Sequence, residues 1–255
     1  MRWWNARWLL VAALGIGLVA VGCKGGSDEP PAPLASPADL QSFRYSLDAT
    51  IEGGGAALGG DTGAPGLNVS LNVTVEASGA VVAPDRQQST IKADLGFLSI
   101  NLESIDIGDQ SWTRETGGEW TAAGADDGLG GLGLDIAPTD VLGASDDESF
   151  QQLRDLLADR EWESEKVNDV DAVRYTLTRE DLVNEISASG TAQDLADLEG
   201  MDEFEGAIWL ERSTGYPVRI LIDASGTVDG DKTKIHLELN LTDLNSDSIS
   251  IEAPI

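Results

Sequence analysis

Few residues in this chain have the type and spacing that covalent chemistry needs. His236 is the sole histidine and Cys23 the sole cysteine, so a zinc site built from imidazole and thiolate ligands is excluded by count. His236 lies between Ile235 and Leu237 on the polar side of an alternating segment, where a solvated imidazole is the expectation. No serine sits in a Gly-x-Ser-x-Gly elbow, the strained turn that exposes a hydrolase nucleophile. Neighbouring carboxylates are common, among them Asp126 with Asp127 and Asp202 with Glu203 and Glu205. In a chain with 45 acidic residues such neighbours arise by composition, and nothing singles out one pair as acid and base. The expectation is a protein that is not an enzyme, with no catalytic residue, no metal and no cofactor.

The chemistry that remains belongs to Cys23. Arg2 and Arg7 give a basic start, and Trp8 to Gly22 is free of charge. That run is shorter than the ~20 apolar residues that cross a bilayer as a helix, and it has the order of parts of a cleavable export signal. It ends Ala20-Val21-Gly22-Cys23, which resembles the lipobox of bacterial lipoproteins. The resemblance implies that the Cys23 thiol receives a diacylglyceryl group and that Cys23 becomes the new N-terminus, with palmitate-type chains as the anchor. One acyl chain binds a membrane only marginally and two or more hold it stably. A lone cysteine leaves no intrachain disulfide.

The formal charge is −29, and removal of residues 1–22 takes away two arginines and no acid. Such a surface repels nucleic-acid phosphates and anionic headgroups. Residues 1–22 therefore read as a signal peptide and 23–39 as a flexible tether of Gly, Pro, Ser and Ala. Residues 40–255 read as one domain, expected to be monomeric and to lie on the extracytoplasmic face of a cell membrane.

The elements of that domain are mostly strands. Phe43, Tyr45, Leu47, Ala49 and Ile51 alternate with polar neighbours, as do Leu67 to Val75, Ile91 to Leu95 and Leu98 to Leu102. Val173 to Leu177, Phe204 to Leu210, Val218 to Ala224 and Ile235 to Leu241 repeat the pattern, and Ile249 and Ile251 close the chain. One dry and one wet face per strand predicts an antiparallel sheet covered on one side. Hairpins are expected at Ser213-Thr214-Gly215 and at Asp229-Gly230, and Pro217 is expected to start a strand.

Three helices are predicted between the two groups of strands. Ser145 with Glu148 has capping-box spacing ahead of Phe150, Leu153, Leu156 and Leu157. Thr178 with Asp181 and Thr191 with Asp194 open two more, ended by Gly190 and Gly200. Strands, helices, strands is an α+β order.

Several segments resemble the LppX/LprG-type lipoproteins of mycobacteria and relatives, whose fold is similar to LolA and LolB. They are Ser42 to Leu47, the pair Trp112 and Trp120, Glu165 to Tyr175, and Gly206 to Leu210 followed by Gly215 to Arg219. The Gly-rich insert Gly53 to Gly66 has no counterpart and reads as a loop. The resemblance implies a curved, half-closed antiparallel sheet wrapped over a few short helices, with a hydrophobic cavity between them that carries a lipid or glycolipid. The residues facing such a cavity are Leu71, Val73, Ile91, Leu95, Ile100, Leu102, Phe150, Leu153, Leu157, Ile220, Leu237 and Leu239. The same residues also read as ordinary core, since alternation shows which face is dry and not whether it is full.

The segment Gly124 to Asp135 adds Leu129, Leu132 and Leu134 among glycines. It reads as a lid over a cavity mouth or as a disordered loop. A calcium-binding β-roll turn is the weaker alternative, because one copy cannot stack. Two functions stay open: a tethered carrier or sensor of a hydrophobic ligand, and an envelope scaffold that binds a protein partner through a filled domain.

Overall fold

The computed structural model describes residues 30–58, 67–96, 98–123, 147–181, 200–228 and 230–254. Eleven antiparallel strands form one open sheet, in the order β6-β5-β4-β3-β2-β1-β11-β10-β9-β8-β7. The first group is β1 (Ser42–Leu58), β2 (Leu67–Val82), β3 (Arg86–Asp94), β4 (Ser99–Ile107), β5 (Gln110–Glu115) and β6 (Thr121–Ala123). The second is β7 (Glu163–Val167), β8 (Val170–Leu177), β9 (Met201–Glu211), β10 (Pro217–Val228) and β11 (Asp231–Thr242). Within each group, consecutive strands are neighbours. The two meanders meet where β1 pairs with β11, from Arg44↔Thr242 to Gly53↔Thr233.

Right-handed strand twist accumulates over so many strands, so the sheet is curved. It stays open, and its edges are the three-residue β6 and the charged five-residue β7, short strands of the kind that discourage pairing with another chain.

The turns follow the local chemistry. β9 and β10 are joined through Gly215, whose φ of +78° is costly for any residue with a Cβ. A Cβ there would also lie 1.9 Å from the Pro33 carbonyl oxygen. Pro217 opens β10, as its missing N–H requires. Val228 and Asp231 flank the expected Asp229-Gly230 hairpin. Thr178 donates its backbone N–H to Asp181 Oδ2 at 2.6 Å, one half of the predicted capping box.

α1 (Asp147–Ala158) lays Leu156 and Leu157, with half-buried Leu153, on Val173, Tyr175, Leu177, Ile208 and Leu210. Leu34 joins the same cluster. Hydrogen bonds from Ala32 N to Arg212 O and from Ala35 N to Gly215 O, both 3.0 Å, hold its segment down. Residues 30–39, which composition assigns to the tether, are thus packed against the domain and end in a single 3-10 turn at Pro37–Asp39.

Three further expectations are corrected. Ile249 and Ile251 form no strand; they lie across the sheet and bury against Ala80 and Ile105. The glycine-rich insert does not begin as a loop, since β1 runs to Leu58 with a bulge between Glu52 and Gly55. Leu95 and Leu98 fall just outside β3 and β4. Of the two helices predicted from Thr178 to Gly190 and from Thr191 to Gly200, the first opens with helical residues 179–181, and residues 182–199 lie outside the described residues, as do Cys23 and the Gly124 to Asp135 segment.

Candidate functional site

Pairing register fixes which side chains share a face. Leu102 pairs with Ile91, Ile91 with Ala77, Ala77 with Leu47, and Leu47 with Leu239. The row goes on through Ile220 and Ile208 to Tyr175. It crosses eight strands, β4 to β8 by way of β1 and β11, and every member is aliphatic or aromatic. This is the inner face, the one that α1 covers at its β8–β10 end.

The predicted lining residues come together on this face. Ile91 and Leu239 are each 1% exposed and sit in one cluster with Phe43, Tyr45, Leu47 and Leu241. Val73, Ile100, Ile220 and Leu237 are half-buried around that cluster. Ile220 also touches the α1 cluster, so it bridges the two halves. Leu102 and Leu95 are half-buried, and Leu98 beside them is 48% exposed. Leu157 is buried and Leu153 half-buried beneath α1. Leu71 lies on β2 and Phe150 on α1; their side chains are outside the described residues. Leu129, Leu132 and Leu134 are outside them as well.

The inner face is not apolar throughout. On β3 and β4 the inward positions change from Ile91 and Leu102 to Ser89 and Ser104, whose hydroxyls lie 2.6 Å apart and are buried. The next row is Gln87 and Asp106, and Ser111 on β5 donates to Asp106 Oδ1 at 2.5 Å. Tyr45 reaches into this corner from β1 to hydrogen-bond Ser89 and Gln87. It does so by lying over Gly79 of β2, where a Cβ would stand 2.8 Å from the phenol oxygen. Burial, with a smaller contribution from the nearby Asp106 charge, raises the phenol from its ordinary 10.0 to about 12, against the lowering effect of its hydrogen bonds. By register, the inward positions of β1–β5 carry no basic residue, and their only carboxylates are Asp106 and Glu115.

The alternation could have located this corner. In β4, Ile100 and Leu102 point inward while Ile105 and Ile107 point outward, yet the pairing with β3 is continuous. The apolar phase therefore inverts without a bulge, and polar residues must occupy the inward positions after Leu102.

The outer face corrects the expectation of one uniformly wet side. Ile105, Ala80, Ile249 and Ile251 form a buried cluster with half-buried Trp112 and Trp120. Arg114 stacks over Trp120 at 4.4 Å and pairs with Glu103, and Arg86 donates to the Ile251 carbonyl at 2.9 Å. At the other end Trp209 is buried with Val167, Ala172, Ala207 and Val218. Arg219 and Arg174 flank its ring at 4.8 and 5.5 Å, and its indole N–H donates to Glu165 at 2.7 Å.

His236 stands on this outer face with 38% of its side chain exposed. Its Nδ1 lies 2.7 Å from Asp223 Oδ1, while the nearby Ser225 hydroxyl donates to Glu203 at 2.9 Å. A shallow concavity of 390 Å³ opens on the same side, lined by Ser46, Asp48, Glu76, Ser78, Thr90, Lys92, Glu238 and Asn240. Among the described residues no group of three His, Cys, Asp or Glu side chains is placed to hold a metal, and no helix is long and apolar enough to cross a membrane.

No family model and no curated protein matches this chain. It is similar in structure to a LolA superfamily protein from Nitrosomonas europaea, at 11% identity over 81% of this chain and 88% of that one, with a TM-score of 0.20. At that degree of overlap the architecture stands on its own strands and register.

Proposed function

We propose that this protein is an extracytoplasmic lipoprotein, anchored through acylated Cys23, that binds or carries a lipid or other hydrophobic ligand on the inner face of its sheet. The observation that carries the reading is the unbroken apolar row from Leu102 to Tyr175. Fully buried positions on that face are flanked by Val73, Ile100, Leu102, Ile220 and Leu237, which remain partly open to solvent. An acyl chain gains ~0.8 kcal/mol for each methylene it buries along this row.

Purification from membranes under native conditions, organic extraction and mass spectrometry test the proposal. The expected result is a co-purifying acyl lipid at near-stoichiometric yield and labelling of Cys23 by a clickable palmitate analogue. Preparations repeatedly free of lipid, with no binding of any alkyl chain, overturn the carrier.

A second reading is an envelope scaffold with a filled interior. The burial of Ile91 and Leu239 favours it, because side chains so fully covered leave no wall to a cavity at those two points. Crosslinking in intact cells separates the two, since a scaffold keeps one persistent protein partner and a carrier does not.

A further inference from the structure

The polar corner of the inner face has a composition that the core alone does not call for. Rows further along the same strands are closed by aliphatic side chains, as at Leu47, Ala77, Ile91 and Leu102. At the corner, Tyr45, Ser89 and Ser104 form a buried floor of hydroxyls. Gln87, Asp106, Ser111 and Thr113 stand half-buried around it. Among the described residues Asp106 is the sole carboxylate close to that floor, and it accepts from the Ser111 hydroxyl. A carboxylate has about four lone-pair sites, so acceptor capacity remains. The inward positions of β1–β5 supply no arginine or lysine to neutralise an anion.

Resting on the lipid-binding reading above, we propose that this corner is the headgroup end of the ligand site and that it selects a headgroup presenting hydrogen-bond donors, a hydroxyl or an ammonium. The acyl chain then runs from Leu102 and Ile100 toward Val73 and Leu237. Asp106 accepts from the headgroup, Ser111 and Gln87 hold its other groups, and the Tyr45–Ser89–Ser104 floor keeps the strands rigid beneath it. An anionic headgroup would meet Asp106 without a compensating cation, which the low dielectric of a half-buried site makes costly.

The full chain is tested with three single-chain probes of equal alkyl length: a monoacylglycerol, a primary alkylamine and a fatty acid. Binding is read by displacement of a fluorescent lipid at neutral pH. The two donor headgroups are expected to bind about tenfold or more tightly than the fatty acid, a ratio of the size one buried charged hydrogen bond gives. Asp106→Asn removes the advantage of the alkylamine and raises fatty-acid affinity, while Glu115→Gln, the same charge change at the strand edge, leaves all three unchanged. A preference for the monoacylglycerol that survives Asp106→Asn but falls in Ser111→Ala marks hydroxyl recognition; a preference for the amine that Asp106→Asn removes marks ammonium recognition. Equal binding of all three probes, or tighter binding of the fatty acid to the unaltered protein, overturns the headgroup assignment and leaves lipid binding intact. Failure of every probe to bind overturns lipid binding itself.

Discussion

On β8–β10 the inner face meets a helix, and on β3–β5 it meets a corner of hydroxyls. In the first region Val173 is 0% exposed and packs with Leu177, Leu210 and the α1 leucines. In the turn that follows β8, Asp181 is 1% exposed and bonded to Arg160 and to the Thr178 N–H. In the second region the inward side chains are smaller and more polar, with half-buried Gln87, Asp106, Ser111 and Thr113 around buried Ser89 and Ser104. Both stretches belong to one continuous sheet, so backbone pairing does not distinguish them. What differs is what each row asks of the layer above it: aliphatic complementarity at one end, hydrogen-bond partners at the other.

That contrast predicts a gradient of mutational cost. The largest effect is expected at Arg160→Ala, which strands the buried Asp181 carboxylate without its cation and costs roughly 3–5 kcal/mol, measured as a fall in the unfolding free energy in urea. Leu157→Ala follows at about 3 kcal/mol, for the lost burial and the cavity left under α1. Leu102→Ala, half-buried in the other region, costs about 1 kcal/mol and lowers lipid loading. Equal costs for Leu157→Ala and Leu102→Ala would erase the distinction between the regions.

Tyr45→Phe is expected to cost about 1 kcal/mol at pH 7, through the hydrogen bonds to Ser89 and Gln87. It also changes the alkaline limb. The folded phenol keeps its proton to about pH 12 while the unfolded one loses it near 10.0. The folded state therefore binds more protons in that interval, and stability that is complete below pH 10 is lost as the pH rises toward 12. Tyr175 in the α1 region is raised for the same principal reason, desolvation, so Tyr175→Phe should blunt the same limb. An unfolding profile between pH 9 and 12, taken on both variants, shows how the two regions share it. The smallest effect is expected at Lys92→Ala, under about 0.5 kcal/mol, because its pair with Glu76 is exposed on both sides.

Much of the sheet was legible in the sequence because strand alternation is set by covalent geometry. Phe43 to Ile51 and Ile235 to Leu241 have the inward set that the alternation indicates, and Pro217 and the two hairpins fall where their backbone demands place them. The candidate lining residues with described side chains share the inner face for the same reason. Legibility fails where one strand serves two faces. β4 turns its apolar groups inward at Leu102 and outward at Ile105, and a pattern that stops at Leu102 misses Ser104 and Asp106. The partner that makes Ile105 a core residue is Ile251, a tertiary contact between residues 146 positions apart in the chain. Composition likewise marks residues 30–39 as tether, yet one leucine among prolines and alanines is enough to dock them, given the notch left by Gly215.

Under the proposed acylation of Cys23, that docked stretch limits how far the molecule could stray from a bilayer. Six residues lie between Cys23 and Pro30, the first described residue, and the seven Cα steps from one to the other reach about 25 Å at full stretch. With an acylated Cys23, the leash is shorter than the domain is wide. The Leu34 side would then hang nearest the bilayer, and a departing or arriving hydrocarbon tail would have little water to cross.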